Sequence, residues 1–456
     1  MVKPKKETKK YNEQSYYWGY ISEAEAEQGL KGCEAGRFLV RSHYSSQATS
    51  VWLCFVSIVR EKPKVVHRAI TPIGKQFVLD GKQDKCSAIH EVVCFYQDHV
   101  IGNGHKLAKG VPRPTWFLRN CHIKVEQNAT VLGGGNFSTV VMGKYRNQDV
   151  AVKKLISSED KILKEKEDLM KEARTMALLK HPYIIKFHGV SIDTMPPMIL
   201  MELMAGGLLS HLKEEGPKIE KGEKVLYCWQ LASALAFVAE KKMVHRDIAA
   251  RNCLFNVYGI LKLTDFGLSD TETNLIAYCT SNDQMPVRWM APEATLPTAT
   301  FNEKTDVWSF AVVCGEIFGN GTEPLSHFSD NKDIMEALLK AMKIPPQPNE
   351  LHRSCPETPP EVAINQKNCW EIDQNLRPTF SDLAQRFDKL LKNMYPPPLL
   401  EDMSTSKMKR VKPLTIAEYE LLNKYHLDSE NDDYFDDDDE AMSTPAQRRK
   451  MNRKQK

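Results

Sequence analysis

The hydrophobic pattern of the chain changes its period within one long stretch, from about residue 116 to 391. The stretch opens with the runs "KVEQNATVL", "STVVMGKYR" and "DVAVKKL", whose β-branched residues are typical of strands. An apolar stripe with helical spacing follows, at Ile162, Leu169, Ala173, Met176 and Leu179. Beyond Met204 long helical patterns dominate. These patterns predict a strand-rich lobe joined to a helical lobe.

A shorter segment, from about residue 16 to 110, mixes both periods. Its runs "GRFLVRS", "SVWLCFVSIV" and "KQFVLD" are strand-like, whereas "SEAEAEQGLK" and "SAIHEVVCFYQDH" have helical spacing. The segment is therefore predicted to be a small α+β module that precedes the two-lobed domain. The fold class predicted for the whole chain is α+β.

Length and composition narrow the function classes. At 456 residues the chain is too long for one ordinary core, and its 62 basic and 59 acidic side chains provide no overall attraction to nucleic acid or membrane. The 11 cysteines form no C-x-x-C pair and no zinc-spaced cluster with histidine, which favours a reducing compartment over a disulfide scaffold or a structural metal site. We expect no signal peptide and no transmembrane segment, since no apolar run reaches about 18 residues.

The expected domain boundaries follow from these changes in composition. We expect a basic leader over residues 1–15, the α+β module over 16–112, a proline-containing linker over 113–121, the two-lobed domain over 122–391 and a charged tail over 392–456. The charge blocks "NDDYFDDDDE" and "AQRRKMNRKQK" cannot bury apolar surface, so most of the tail is predicted to be disordered. An interaction segment, a solubilising appendage and a weak nuclear-localisation signal all stay open for it.

Three consecutive glycines separate two strand-like runs in "VLGGGNFSTVVMGKY". Glycine lets a backbone approach a ligand closely, and exposed N–H groups can cradle phosphates, although a hairpin turn fits this stretch equally well. Lys153 on the next strand and Glu172 on the apolar stripe favour the phosphate site, because an inward carboxylate needs a partner. Singly, these two residues are better explained as a solvated lysine and an edge carboxylate.

Two further segments carry acids and an amide at close spacing. "HRDIAARN" contains Asp247 and Asn252, and "LKLTDFGLSD" contains Asp265 before a Phe-Gly pair. Two oxygen ligands and a free carboxylate are what Mg²⁺-assisted phosphoryl transfer to a hydroxyl requires. A polar loop and an ordinary turn are the alternatives for each segment alone, but their order together with Lys153 and Glu172 favours the chemistry.

With these motifs, residues 122–391 resemble a protein kinase domain. The resemblance implies a β-rich N-lobe, an α-helical C-lobe, and ATP with Mg²⁺ or Mn²⁺ as cofactors. It implies that Asp247 is the catalytic base, that Lys153 holds the phosphates and pairs with Glu172, and that Asn252 and Asp265 are the metal ligands. The implied ATP-binding residues are Leu132, Gly133, Gly134, Gly135, Asn136, Phe137, Ser138, Val140, Ala151, Lys153, Met201, Glu202, Met204 and Leu254.

The same resemblance points to tyrosine as the acceptor. Ala249 occupies the position where serine/threonine kinases usually carry lysine, and Arg251 follows in "AAR", the pattern of tyrosine kinases. Pro286 and Trp289 in "PVRWMAPE" resemble the shelf on which those enzymes place a flat ring. The resemblance further implies that Tyr278 is an activation-loop phosphosite, with Arg246 as the candidate arginine to bind its phosphate. It also implies a structural ion pair between Glu293 and Arg377.

In the first module, "AGRFLVRSHYSS" places Arg41 among apolar strand residues. A buried guanidinium suits a doubly charged phosphate, although an internal ion pair is the better explanation for a lone strand arginine. Together with "YYWGYISEAEAEQGL" and "VVHRAI", the segment resembles an SH2 domain, a central antiparallel sheet flanked by two helices that binds phosphotyrosine peptides. The implied phosphotyrosine-binding residues are Arg41, Ser42 and His67. Glu23 and Ala69 replace basic residues common in such pockets, so weaker binding is predicted; His43, Arg68 and the serines at 42, 45 and 46 are candidates to compensate.

An SH2-like module followed directly by a tyrosine kinase-like domain resembles the Fes/Fer group of cytoplasmic tyrosine kinases, in a short form without the membrane-binding N-terminal portion. The resemblance implies tyrosine-containing protein substrates, phosphotyrosine proteins as partners, and a cytoplasmic location with recruitment to the plasma membrane through partners. It implies neither nucleic-acid partners nor a transmembrane segment. A nucleotide-binding pseudokinase scaffold stays open, since Ser138, Leu208, Ala311 and Gly315 depart from the family pattern, and a serine/threonine kinase is the less favoured alternative.

Overall fold

The computed structural model describes residues 10–44, 49–134, 138–156, 162–271, 286–296, 299–343, 351–393, 398–400 and 410–413. The chain divides into two compact units. The first unit holds the described residues up to 169 and residues 188–200, and the second holds residues 170–187 and the described residues from 201 to 413. Among the described helices, none is long and apolar enough to cross a membrane.

The first unit opens with a five-stranded antiparallel sheet and two helices, and every strand and helix predicted for this segment is observed. The elements are α1 (Glu23–Leu30), β1 (Phe38–Tyr44), β2 (Thr49–Val59), β3 (Lys62–Ile73), β4 (Gln76–Leu79), β5 (Lys85–Cys86) and α2 (Ile89–Asp98), and the strands follow one another in sheet order. Helix α1 begins at a capping box, in which the Ser22 hydroxyl accepts from the Glu25 N–H and the Glu25 carboxylate accepts from the Ser22 N–H.

The two faces of this sheet carry different side chains. Val40, Leu53 and Phe55 lie on one face and form the core with helix α2. On the other face, Arg41 stands opposite Trp52, and Cys54 stands opposite His67. Directly paired residues and every second residue of a strand share a face, so these four side chains lie together. Helix α1 contacts β1 and β2.

A seven-stranded sheet follows, and it contains the strand-rich lobe predicted from the sequence. Its strands are β6 (Phe117–Leu118), β7 (Ile123–Lys124), β8 (Val131–Gly134), β9 (Ser138–Tyr145), β10 (Gln148–Leu155), β11 (Phe187–Ser191) and β12 (Met198–Glu202), in the order β6-β11-β12-β10-β9-β7 with β8 paired to β9. Helix α3 (Ile162–Leu178) lies between β10 and β11 in the chain. The predicted stripe is confirmed at Leu169, Ala173 and Met176, which are all buried.

The rest of the second unit is mainly helical, as the long apolar patterns predict. Its elements are β13 (Gly206–Gly207), α4 (Leu208–Glu215), α5 (Lys221–Glu240), β14 (Met243–Val244), β15 (Cys253–Phe255), β16 (Leu261–Leu263), β17 (Asp270–Thr271), α6 (Glu303–Phe318), α7 (Asn331–Lys343), α8 (Pro360–Cys369) and α9 (Phe380–Lys392). Helices α5 and α6 carry apolar residues on most sides, and both are accordingly buried on nearly all sides. Asn302 caps the N-terminus of helix α6, and its side chain accepts from the N–H groups of Lys304 and Thr305.

Two short strands lie in the segment predicted as a charged tail. They are β18 (Pro398–Leu400) and β19 (Arg410–Pro413), and they pair antiparallel. Both strands precede the charge blocks and contain apolar residues. The composition of the tail as a whole is dominated by the charge blocks, so it does not indicate these strands.

Candidate active site

The predicted acid, arginine and amide of "HRDIAARN" come together in the second unit. A turn of 3₁₀ helix over Ala250–Asn252 follows β14 and leads into β15. Asn252 Nδ2 donates to Asp247 Oδ2 at 2.8 Å and to the Asp247 carbonyl oxygen at 2.7 Å. Arg251 Nη2 donates to Asp247 Oδ1. The Asp247 carboxylate is therefore fixed in place while 15% of its side chain stays accessible.

A buried histidine, His245, holds this loop through two hydrogen bonds. Burial lowers the pKa of His245, which keeps the imidazole neutral. Its Nε2 lies 3.2 Å from the Thr264 carbonyl oxygen, and its Nδ1 accepts from the Asp247 N–H at 3.3 Å. One neutral tautomer, with the proton on Nε2, satisfies both bonds. His245 thereby links the loop that contains Asp247 to Thr264, the residue between β16 and Asp265.

Asp306 of helix α6 fixes the backbone of the same loop. Its carboxylate accepts from the N–H of His245 at 2.6 Å and from the N–H of Arg246 at 3.0 Å, and Arg246 has a left-handed φ of 71°. Burial raises the pKa of Asp306 to about 7, and the two N–H donors act against this rise. Asp306 was not singled out from the sequence; its signal is an acid inside an otherwise apolar helix, in "TDVWSF".

We expect Asp306→Asn to lower kcat by about tenfold or more, because one loop N–H would face an amide NH₂ instead of an acceptor. The unsatisfied donor should also reduce the free energy of unfolding by about 1–3 kcal/mol. Steady-state kinetics and denaturant unfolding of the variant check this, with Asp333→Asn, a change of an exposed α7 residue, as the control. Wild-type kcat in Asp306→Asn would contradict the assigned role.

The two candidate metal ligands are linked through the backbone. The Thr264 N–H, next to Asp265, donates to the Asn252 carbonyl oxygen at 2.9 Å. Asn252 gives its NH₂ to Asp247, so its Oδ1 is the remaining ligand atom of the amide. Asp265 is exposed and has a left-handed φ of 64°, a conformation that is uncommon outside glycine. A carboxylate and an amide oxygen form a donor set that suits Mg²⁺ or Mn²⁺.

Glu172 lies buried on α3 beside the glycine that follows Asp265 and Phe266. A Cβ added to Gly267 would lie 3.3 Å from Asp265 Oδ1 and 3.7 Å from Glu172 Oε2. The neighbouring Lys171 forms an ion pair with Asp270 at 2.5 Å. Helix α3 is therefore anchored to the segment after Asp265. Lys153 lies in the first unit, and its pairing with Glu172 stays a prediction.

Three of the predicted ATP-binding residues of the first unit, Val140, Ala151 and Lys153, lie on one sheet face. Val140 stands opposite Lys153, and Met142 opposite Ala151, so these four side chains lie on the same face. Val141, Val150 and Val152 point to the other face and form its core. The described glycines 133 and 134 pair with residues 140 and 139 beside Leu132, which is exposed, and Ser138 begins β9. Gly135, Asn136 and Phe137 lie outside the described residues.

The "MELM" segment is only partly available to a nucleotide. Met201 is buried, whereas Met204 and Leu254 are half-buried. The Glu202 N–H donates to the Lys186 carbonyl oxygen at 3.0 Å, which leaves the carbonyl group as the part of the Glu202 backbone that a nucleotide could bond. The Glu202 side chain is engaged as well, since its Oε1 accepts from Lys262 Nζ at 2.6 Å.

Arg251 also links Asp247 to the predicted tyrosine shelf. Its guanidinium carbon lies 4.5 Å from the centre of the Trp289 ring, a cation–π contact. Glu316 of α6 accepts from Trp289 Nε1 and from the Ala250 N–H, both at 2.9 Å. Burial raises the pKa of Glu316, and its two donors oppose this. Glu316 was missed by the sequence reading because its partners lie 27 and 66 positions away.

Two further predictions concern the segments around this site. Glu293 and Arg377 form the predicted buried ion pair, with oxygen–nitrogen distances of 2.6 and 3.0 Å. Tyr278 lies outside the described residues, so its role stays a prediction. Its candidate partner Arg246 donates from Nη1 to the Leu268 carbonyl oxygen at 3.2 Å.

The candidate phosphate pocket lies on the α1 side of the five-stranded sheet. The Arg41 side chain is only 4% exposed, and its Nη2 lies 3.9 Å from Glu23 Oε2. Glu23 also approaches His67 Nε2, at 3.7 Å, so a carboxylate does face this pocket. Trp52 lines it too, with its ring centre 5.4 Å from the Arg41 guanidinium carbon. Arg41 and His67 are thus brought together, and both lie near an acid.

Ser42 does not join them. It follows Arg41 on β1 and points to the opposite, core-side face, where its hydroxyl is 3.0 Å from the Tyr17 hydroxyl. Arg68 likewise lies on the other face from His67 and donates to the Asp80 carbonyl oxygen at 2.7 Å. Neither side chain is placed to compensate for Glu23. The loop serines at 45 and 46 lie outside the described residues.

Several known proteins are similar to this chain in sequence. A family model for protein tyrosine and serine/threonine kinases matches residues 126–387. The chain is 31% identical over 385 residues to the tyrosine-protein kinase transforming protein Fps of avian sarcoma virus (strain PRCII), covering 82% of this chain and 67% of that protein. It is 28% identical over 381 residues to Fer-related kinase 1 of Caenorhabditis elegans, covering 81% and 92%. It is 30% identical over 389 residues to human tyrosine-protein kinase ABL2, covering 82% and 31%. The chain therefore belongs to the protein tyrosine kinase family.

Proposed function

We propose that the chain transfers the γ-phosphate of ATP to tyrosine hydroxyls of proteins. The observation that carries this proposal is the arrangement of Arg251, which binds the Asp247 carboxylate and stacks on Trp289. This arrangement supports the proposal because the Asp247 carboxylate is fixed and partly exposed, and an aromatic side chain that could help to hold a tyrosine ring lies against the same arginine.

In this mechanism Asp247 orients the acceptor hydroxyl and takes its proton as the oxygen attacks the γ-phosphorus, while the bond from the γ-phosphorus to the bridging oxygen breaks and ADP leaves with that oxygen. Arg251 contributes positive charge close to the transferred phosphate. Asn252 and Asp265 would hold Mg²⁺ or Mn²⁺, which would supply positive charge to offset the negative charge of the phosphate. Lys153, with Glu172 as its partner, holds the phosphates of ATP. The remaining ATP-binding residues are those predicted from the sequence, with Glu202 acting through its carbonyl group.

Two copolymers separate the rival functions. Phosphate from Mg-ATP should enter a copolymer of glutamate and tyrosine, and should not enter one of glutamate and serine. A chain that binds ATP and labels neither polymer would be a scaffold, and one that labels only the serine polymer would be a serine/threonine kinase.

We further propose that residues 16–112 form an SH2 domain that docks on phosphotyrosine proteins. The support is a deeply buried arginine, Arg41, whose Nε has no hydrogen-bond partner among the described residues and whose side chain shares a sheet face with His67. Because the Glu23 carboxylate faces the same pocket, it should repel a phosphate dianion, so the proposed binding is weaker than such pockets usually give.

Arg41→Ala should weaken phosphotyrosine-peptide binding by at least about tenfold, since a hydrogen bond to a charged group contributes about 1.5–3 kcal/mol. Fluorescence anisotropy with a labelled phosphopeptide measures this change. Lys64→Ala is the matched control, because it removes one positive charge from an exposed residue of β3. Equal affinities of Arg41→Ala and wild type would remove the pocket assignment.

The proposed SH2 domain also supports the kinase sheet within the first unit. The Tyr20 N–H donates to the Ile192 carbonyl oxygen, just after β11, at 2.8 Å. The Arg119 side chain, in the linker, donates to the carbonyl oxygens of Asn12 at 2.5 Å and Gln14 at 2.8 Å in the leader that precedes the domain. These hydrogen bonds need no ligand, so we propose that the domain, together with its leader, stabilises the strand-rich lobe and thereby raises kinase activity.

Gly19→Ala tests this coupling. Gly19 has a φ of 78°, and an added Cβ would lie 2.5 Å from the Ile192 carbonyl oxygen. We expect kcat to fall by about threefold or more, about 0.7 kcal/mol in activation free energy. Gly32→Ala is the control, since Gly32 has a φ of 75° with nothing within 4 Å of an added Cβ, so it reproduces the backbone strain without the clash. Equal kcat values for the two variants, or full activity after removal of residues 1–112, would refute the coupling.

Docking on phosphorylated proteins would raise the local concentration of substrate around the kinase domain. We propose on this basis that the protein acts in the cytoplasm in signal transduction and reaches the plasma membrane through its partners. No nucleic-acid partner is proposed, because the net charge is only +3.

A further inference from the structure

Three possible metal ligands meet on the α1 side of the five-stranded sheet. Glu23 and Glu27 lie one turn apart on α1, and their Oε1 atoms are 3.7 and 3.6 Å from Nε2 of His67 on β3. The three ligand atoms lie within 4.8 Å of one another. The acids alone would indicate little, because exposed carboxylates commonly share a helix face.

The state of His67 provides the second observation. Its side chain is 10% exposed, and its Nε2 is buried without a hydrogen-bond partner among the described residues. On the other side of the ring, Nδ1 lies 3.1 Å from Cys54 Sγ. When Nδ1 donates to this sulfur, Nε2 presents a lone pair to the two carboxylates, as in histidines oriented for metal binding.

We propose that Glu23, Glu27 and His67 bind a divalent cation of the first transition series, such as Mn²⁺ or Zn²⁺. A tetrahedral metal with bonds of about 2.0–2.1 Å separates its ligands by about 3.3 Å, close to the 3.7 and 3.6 Å from His67 Nε2 to the two carboxylates. The Glu23 and Glu27 side chains are 64% and 55% exposed, so both can adjust their positions to complete the coordination. One nitrogen and two oxygens suit such cations better than Ca²⁺ or Mg²⁺.

The cation would change the electrostatics of the Arg41 pocket. Glu23 directs Oε1 at His67 and Oε2 at Arg41 Nη2, so one carboxylate serves both groups. A bound cation neutralises the charge with which Glu23 repels phosphate, and three protein ligands leave a coordination position open for a phosphate oxygen. Phosphotyrosine binding then depends on the metal. This second part of the inference rests on the proposed SH2 function; the cation site does not.

The test is a Mn²⁺ titration of the full chain without nucleotide, in which loss of the free-ion electron paramagnetic resonance signal reports bound Mn²⁺. His67→Ala and Glu27→Gln should each bind one ion fewer per chain than wild type. Glu34→Gln, a change of an exposed carboxylate in the same segment, should match wild type, and any Mn²⁺ held by Asn252 and Asp265 contributes equally to all. Equal Mn²⁺ binding by His67→Ala, Glu27→Gln and wild type would overturn the cation site.

Phosphopeptide affinity measured with Mn²⁺ and with EDTA tests the second part. Wild type should bind the phosphopeptide at least about tenfold more tightly with Mn²⁺ than with EDTA, a difference of about 1.4 kcal/mol. Glu27→Gln should bind it equally under the two conditions. The same affinity with Mn²⁺ and EDTA would overturn the metal dependence. If no phosphopeptide binds under either condition while Mn²⁺ binding is still lost in the two variants, the proposed SH2 function fails and the cation site stands.

Discussion

Asp247→Asn is expected to lower kcat by about 10²–10⁴-fold, the range that general base catalysis contributes. The amide cannot take a proton from the acceptor hydroxyl, yet it keeps the size of the carboxylate and can still bond Arg251 or Asn252 through its oxygen. The KM for ATP should change little, because Asp247 is assigned to the acceptor side. Steady-state kinetics with a tyrosine copolymer separate these two parameters.

The control for this prediction is Asp388→Asn on α9, which removes the carboxylate of a surface ion pair with Lys392. The control should keep the kcat of wild type. A kcat for Asp247→Asn within about threefold of wild type would show that Asp247 is not the base. A large rise in KM for ATP with unchanged kcat would instead assign Asp247 to nucleotide binding.

Glu293→Ala is expected to reduce the free energy of unfolding by about 3–5 kcal/mol, as removal of one partner from a buried ion pair does. The Arg377 side chain is 0% exposed, and both of its terminal nitrogens bond Glu293. Arg377 also donates to the carbonyl oxygens of Glu371 at 2.7 Å and Lys304 at 2.9 Å, so it cannot turn toward water without breaking further bonds. Denaturant unfolding of the purified variant measures the loss.

Two comparisons show whether the lost free energy of unfolding comes from leaving the buried Arg377 guanidinium without its partner. Asp388→Ala, which breaks the exposed i,i+4 pair with Lys392, should cost only about 0.3–0.5 kcal/mol. The double change Glu293→Leu with Arg377→Met should recover part of the stability lost in Glu293→Ala, because no unpaired charge is left buried. A loss below about 1 kcal/mol in Glu293→Ala would contradict the assignment of a buried pair.

Much of the fold could be predicted because its signals are local. The strands of both sheets are short runs of β-branched and aromatic residues, and the stripe on α3 repeats at helical spacing, so neighbouring residues carry the information. Asp247, Arg251 and Asn252 lie within six positions of one another, and their mutual bonds follow from that proximity.

The residues that the sequence did not reveal act across long separations. Asp306 bonds backbone groups 60 and 61 positions away, and nothing near it in the chain indicates those partners. Proximity in the chain can also mislead. Ser42 was wrongly predicted to share a pocket with Arg41 because the two residues are adjacent in sequence. Alternation along β1 puts the two side chains on opposite faces. The meeting of Glu23, Glu27 and His67 likewise depends on how α1 packs on β1 and β2, which periodicity does not specify.

Transfer of phosphate to tyrosine is tested most directly by the chemical identity of the phosphorylated residue. The full chain is incubated with labelled Mg-ATP and a protein substrate that contains tyrosine, serine and threonine, beside Asp247→Asn, and the labelled amino acid is identified after hydrolysis. We expect phosphotyrosine from the wild-type chain and almost none from Asp247→Asn. Phosphoserine or phosphothreonine as the product, or no transfer by a wild-type chain that binds ATP, would contradict it.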